Sequence, residues 1–163
     1  MPRKVFFSFH FNNDAWRASQ VRSMGALEGD EPVSDNKWEE VKRGGDRGIQ
    51  NWINSQMSGK SCVVVLIGSQ TASRQWVRYE IEKGWNDGKG VVGIRIHGLK
   101  NVSGVTDVWG ANPFDGFNVG NVPLNSIVTC WNPSGYDSKS VYASIKENIG
   151  RLVEEAIATR AKY

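Results

Sequence analysis

The stretch Cys62-Val63-Val64-Val65-Leu66-Ile67-Gly68-Ser69-Gln70-Thr71 decides the fold. Its first part is continuously apolar and rich in β-branched residues. A strand with no alternating polar face must be buried on both sides, as in the middle of a parallel sheet. Gly68 to Thr71 supply turn chemistry, and Ser73 is placed to cap a following helix. Val77, Ile81, Gly84 and Trp85 fall on one face of that helix, and Asn86-Asp87-Gly88 ends it. Val91-Val92-Gly93-Ile94-Arg95-Ile96 is then the next strand. A parallel partner needs such a helical crossover, so one strand–helix–strand unit is legible here.

The pattern extends both ways. Toward the N-terminus, Lys4-Val5-Phe6-Phe7-Ser8-Phe9 reads as another buried strand. His10-Phe11-Asn12-Asn13-Asp14 reads as a turn with an N-cap candidate, leading to a helix over Ala15 to Met24. Gly25 to Lys37, with Gly29 and Pro32, reads as loop with room for only a very short strand. Ile49, Trp52, Ile53 and Met57 form a helical stripe that starts near Gly45 or Asp46, with Gly59 as its C-terminal cap. Toward the C-terminus, residues 98–126 carry recurring glycines, Pro113 and Pro123, and no apolar period. A loop that long is functional or mobile. Ser126 to Trp131 reads as a last strand. From Ser138 a helix buries Val141, Tyr142, Ile145, Ile149, Leu152, Val153 and Ala156 on one stripe. The expectation is a single α/β domain over 1–163, with the long loop at about 98–126. Sites in such folds lie outside the carboxyl ends of the strands, here Ser8 to Phe11, Gly68 to Ser73 and Ile96 to Gly98.

Composition narrows the function. The 163 residues carry 20 basic and 17 acidic side chains, a net charge of +3 with no basic stripe, which argues against a nucleic-acid partner. No apolar run is long enough to span a membrane. The basic start Met1-Pro2-Arg3-Lys4 is not followed by a signal-peptide core, so a cytoplasmic protein is expected. Cys62 and Cys130 are the only cysteines, without a CxxC pair, so both are expected as buried reduced thiols and no metal site is expected. Neither a phosphate-loop motif nor a GxGxxG turn occurs. His10 and His97 are the only histidines and no Gly-x-Ser-x-Gly elbow is present, which weighs against a hydrolase triad. Both histidines nonetheless fall at strand ends. For His10 a ligand contact and a plain structural place remain open; His97 reads as a loop polar residue.

Trp76 and Glu80 are i, i+4 neighbours on one flank of the helix after the central strand. By itself a lone Glu on a helix is ordinary surface. The longer segment Ser73-Arg74-Gln75-Trp76-Val77-Arg78-Tyr79-Glu80-Ile81 resembles the Ser-x-x-Trp-Cys-x-x-Glu-Leu helix of TIR domains, with the spacing intact and Val77 in place of Cys. Together with Arg3 to His10 and Leu66 to Thr71, it is similar to the bacterial TIR-like group that includes the sensor of the Thoeris antiphage system. The likeness covers about residues 3–97, with Asn112-Pro113-Phe114-Asp115 as a further patch.

The resemblance implies a flavodoxin-like three-layer sandwich with a central parallel sheet of about five strands. It also implies cleavage of the nicotinamide–ribose bond of NAD, with Glu80 as the catalytic carboxylate. NAD is then a substrate and no other cofactor is implied. A cyclic ADP-ribose product would signal to a separate effector, and self-association is a further implied property. At the first strand end, Phe7, Ser8 and His10 are expected to bind the dinucleotide, with Trp38 and Trp76 as stacking or wall residues, since planar rings suit aromatic walls. Two rival readings stand beside this one. One is a non-enzymatic TIR-like interaction module, in which Glu80 is mere surface. The other is a nucleoside deoxyribosyltransferase-like enzyme, which needs a second catalytic carboxylate or Tyr set that the sequence does not place. Of the seven Trp residues, Trp16, Trp52 and Trp85 are expected in packing, Trp109 exposed in the long loop, and Trp131 near the site edge.

Overall fold

The structure, a computed structural model, describes residues 2–30 and 35–163. Pro32, part of the loop expected at Gly25 to Lys37, lies outside them. The elements run β1 (Val5–Ser8), α1 (Phe11–Arg22), α2 (Asp35–Arg43), α3 (Gly45–Met57), β2 (Cys62–Ile67), α4 (Gln75–Asn86), β3 (Gly90–Arg95), the short pair β4 (Asn118–Val119) and β5 (Val122–Pro123), β6 (Cys130–Trp131) and α5 (Ser138–Arg160).

The main sheet is parallel, with four strands in the order β1-β2-β3-β6. Every residue of β1, β2 and β3 is buried, as their continuous apolar reading requires. Their side chains alternate between two layers. Val5, Phe7, Val64 and Leu66 pack against α1 and α5, while Phe6, Val63, Val65 and Ile67 pack against α2, α3 and α4. This is the expected flavodoxin-like three-layer sandwich. Gly84 lets α4 lie close on β2, because a Cβ there would come within 2.5 Å of Val63.

The expected fifth strand shrinks to one parallel bridge between Lys4 and Glu28 at the outer edge of β1. Glu28 accepts from the Val5 amide at 2.8 Å and donates to the Arg3 carbonyl at 2.9 Å. From β1 the chain thus crosses one face by α1, reaches that edge, and returns across the other face by α2 and α3 to β2. The connection reverses direction at the carboxyl ends of β1 and β2, where a crevice opens.

Other expectations are corrected. Helix α1 starts at Phe11, so Phe11 to Asp14 form its first turn; polar side chains there are compatible with a helix start, with Asp14 facing the positive end of the dipole. Ser73 does not cap α4: it belongs to a 3-10 turn over Thr71–Ser73 and donates to the Gln70 carbonyl, and Arg74 is the N-cap. The last strand keeps only Cys130–Trp131, because Leu124–Ser126 wind into a 3-10 turn and Val128 packs into the core instead. The loop at 98–126 holds β4 and β5 and buries Leu99, Phe114 and Leu124. Trp16 is 52% exposed rather than packed. Cys62 is buried and Cys130 half-buried, both unpaired; burial pushes the Cys62 thiol up to about 12.

Candidate active site

The site is built where β1 ends. Phe6 and Ser8 point from β1 toward the layer of α2, α3 and α4. Four residues after Trp76, one helical turn on, α4 brings Glu80 to the same place. Glu80 is 8% exposed and Ser8 1%. The Ser8 Oγ donates to Glu80 Oε1 at 2.6 Å. This recorded partner of the carboxyl is a neutral hydroxyl. Burial disfavours the charged form and pushes Glu80 up to about 8; the Ser8 hydroxyl opposes the rise and the negative charge of Asp30 adds to it. A carboxyl poised this close to neutrality, at the inner end of a crevice, is a mark of a functional group.

In front of Glu80 lies a cavity of about 570 Å³. That is within the ordinary range for small-molecule sites, roughly 300–1,000 Å³. One wall is a run of aromatic rings. Phe9 and Phe11 are 6.4 Å apart, Phe11 and Trp38 6.4 Å, and Trp38 and Trp52 5.9 Å between centroids. Trp76 also lines the cavity and packs edge-on to Tyr79 at 5.7 Å. Lys42, 5.9 Å above the Trp38 ring, and Arg74 are exposed and add positive charge at the rim. His10 lines the cavity too. Its Nδ1 is buried with no hydrogen-bond partner among the described residues. Burial first and Arg74 second hold its imidazole below the usual range, so it is neutral near pH 7.

Five of the residues singled out in the sequence therefore meet at one cavity: Glu80, Phe7, His10, Trp38 and Trp76. Ser8 stands behind Glu80 and reaches the cavity through it. The sequence reading missed Phe11, Arg22 and Asp30, and placed Trp52 in packing alone, whereas its ring also forms the wall. Trp38 and Trp52 become legible together only once α2 is known to lie against α3. Asp30 gives no local signal, since only the fold brings it beside β1.

His97 and Trp109 lie away from this cavity, at the end of β3. The Arg95 guanidinium sits 3.5 Å from the Trp109 ring centroid, and His97 meets the same ring at 5.5 Å. Trp109 is 59% exposed, as expected for the loop. Trp131 packs half-buried against the α1/α5 layer rather than at the cavity.

An aromatic slot that ends on a buried, weakly held carboxyl is suited to a planar cationic ring carried on a sugar. Comparison with known proteins agrees with the fold and the motif. Residues 6–101 match the family described as Thoeris protein ThsB, TIR-like domain. The chain belongs to this family. It is also 36% identical over 120 residues to a Bacillus cereus (strain MSX-D12) protein named "Putative cyclic ADP-D-ribose synthase ThsB1", a match that covers 71% of this chain. The chain spans 62% of the length of that curated relative. The ThsB TIR-like match includes β1 from Phe6 on, α1 and the whole Ser73–Ile81 segment, so Ser8, Glu80 and the Phe9, Phe11, Trp38 and Trp52 rings lie within it. Among the described residues, no helix is long and apolar enough to cross a membrane.

Proposed function

We propose that this protein cleaves the nicotinamide–ribose bond of NAD, with Glu80 as the catalytic carboxylate, and passes the ADP-ribosyl group to an acceptor within the same molecule. The observation that carries the reading is the Glu80 carboxyl, buried at the inner end of an aromatic cavity with a hydroxyl for a partner. The relative's name supports a cyclic product.

The chemistry follows from the substrate's charge. Bound nicotinamide is a pyridinium cation and leaves neutral. The C1–N bond breaks with its electron pair going to the ring nitrogen, so no general acid is needed. This differs from ordinary glycoside hydrolysis, which uses an acid beside its second carboxylate. The ribose becomes oxocarbenium-like, and a fixed carboxylate stabilises that developing positive charge. In the empty cavity Glu80 is held largely protonated at neutral pH. An arriving pyridinium favours the anion, so substrate entry itself draws the carboxyl into its working form. A ribose hydroxyl of the same dinucleotide, passing its proton to the Glu80 carboxylate, or an adenine nitrogen through its lone pair, then attacks the sugar carbon, which gives a cyclic ADP-ribose. Water in its place gives ADP-ribose. Phe11, Trp38 and Trp52 give the bases a flat surface, and Lys42 and Arg74 face the phosphates. In a defence setting, the cyclic product would act on a separate effector.

The test incubates NAD with the protein, alone and after co-expression with an infecting phage, and resolves the products by chromatography. Nicotinamide and an equal amount of a cyclic ADP-ribose are expected. Intact NAD under both conditions would overturn the reading.

A further inference from the structure

The outer edge of β1 carries a feature that the reaction above does not use. Where a fifth strand is expected, backbone pairing stops after Glu28. The next outward-facing amide of β1 is that of Phe7. Its acceptor is a side chain: the Phe7 N–H donates to Asp30 Oδ1 at 2.9 Å, in a buried bond. Asp30 is 6% exposed and is held in turn by Arg22 of α1. Arg22 donates to the Asp30 carbonyl and approaches its Oδ2 at 3.5 Å. The same guanidinium lies over the Phe7 ring at 5.2 Å and the Phe9 ring at 5.8 Å. Gly29 lies so close to Phe7 that a Cβ there would come within 2.6 Å of the ring. Segment 28–30 is thus fastened along β1 immediately before Ser8.

We propose that Asp30, tethered by Arg22, is a positioning residue for Glu80: it fixes the Phe7–Ser8 backbone that delivers the hydroxyl to the Glu80 carboxyl, and it places a buried negative charge beside that carboxyl. This rests on the reading of Glu80 as the catalytic group. Adjacent residues of one strand hold the two acids, Phe7 by its amide and Ser8 by its hydroxyl. Both acids line the cavity. As substrate entry draws Glu80 into its anion, that carboxylate favours a cationic ring over a neutral one, and a free nicotinamide product loses that attraction. The charged and titratable groups around Glu80 are Asp30 from the edge segment, Arg22 and the neutral His10 from the two ends of α1, Lys42 from α2 and Arg74 at the start of α4. Asp30 is the negative member of that set and Arg22 its counter-charge.

The test follows the ionisation of the Glu80 carboxyl by carbon-13 NMR in the resting protein, and the pH profile of kcat/KM for nicotinamide release. Asp30→Asn keeps an acceptor for the Phe7 amide and removes the charge. Its Glu80 midpoint is expected to fall by at least about half a pH unit, since a like charge has gone. Arg22→Gln exposes Glu80 to an uncompensated Asp30, and the midpoint is expected to rise. Asp30→Ala also frees the Phe7 amide and should lower kcat by roughly tenfold with a smaller change in KM, because Ser8 is no longer held in register. An unmoved midpoint in Asp30→Asn would overturn the proposal. If that variant does not fold, an unmoved midpoint in Arg22→Gln would overturn it. A wild type that releases no nicotinamide while the NMR midpoints shift as stated would instead overturn the NAD reading and leave this inference standing.

Discussion

Two buried carboxyl groups lie on opposite faces of the sheet and behave differently. Glu80, on the α4 side, meets one hydroxyl and an open cavity. Asp14, on the α1 side, is 0% exposed and meets Arg17, itself 2% exposed, at 2.9 Å. Arg17 also donates to the carbonyls of Leu99 and Val105, so the pair ties α1 to the long loop. Asp107 joins through Asn13 at 2.9 Å and Ser69 at 2.7 Å. Burial raises both acids, but Arg17 opposes the rise at Asp14. Burial therefore does not mark the working group. Among the described residues no ion pair holds Glu80, which faces the cavity where the proposed cationic substrate would meet it; Asp14, paired with Arg17, acts as a clamp.

That contrast can be broken by mutation. Glu80→Gln should abolish NAD cleavage by on the order of a hundred- to a thousandfold while the protein stays folded, as assay and circular dichroism would show. Arg17→Ala should do the reverse. It strands the buried Asp14 charge and should cost about 3–5 kcal/mol of stability in chemical denaturation, with activity per folded molecule retained. Gly68 supports the same clamp, because a Cβ there would come 2.1 Å from Asp14 Oδ2. Trp38→Ala opens the aromatic wall without touching either acid. It should raise KM by roughly tenfold with a smaller change in kcat, a loss of about 1.4 kcal/mol in ring contact.

A last contrast concerns pH. Glu80 is raised in the folded protein from its ordinary 4.5 to about 8. The folded state then holds more protons than the unfolded state between those values. Its contribution to stability is fully present below about 4.5 and is lost as pH rises through about 8. Thermal unfolding of Glu80→Gln should decline less steeply over that range than wild type, with Asp14 contributing what slope remains. The kcat/KM profile of wild type should rise with pH through the same midpoint, since it reports the free enzyme.

Much of this architecture was legible. Cys62 to Ile67 form β2 because six buried apolar residues in a row fit little else. The Ser73–Ile81 spacing placed Glu80 on α4, and the helical period put it a turn from Trp76. Helix α2 was not legible, since Trp38 and Val41 are its only core-facing apolar side chains and charged residues surround them. Phe11 read as turn because the polar Asn12 and Asn13 follow it. Asp30 read as loop because its partner Phe7 is an amide on a strand 23 positions away. Local pattern finds elements, whereas a carboxyl pair across a sheet edge exists only after they assemble.

Glu80, buried and with no ion pair among the described residues, is proposed to drive bond cleavage. The most direct test of this role measures nicotinamide release from NAD by wild type, Glu80→Gln and Arg17→Ala at equal concentrations of folded protein. Release by wild type and Arg17→Ala, and almost none by Glu80→Gln, is expected. Equal release by wild type and Glu80→Gln would contradict it.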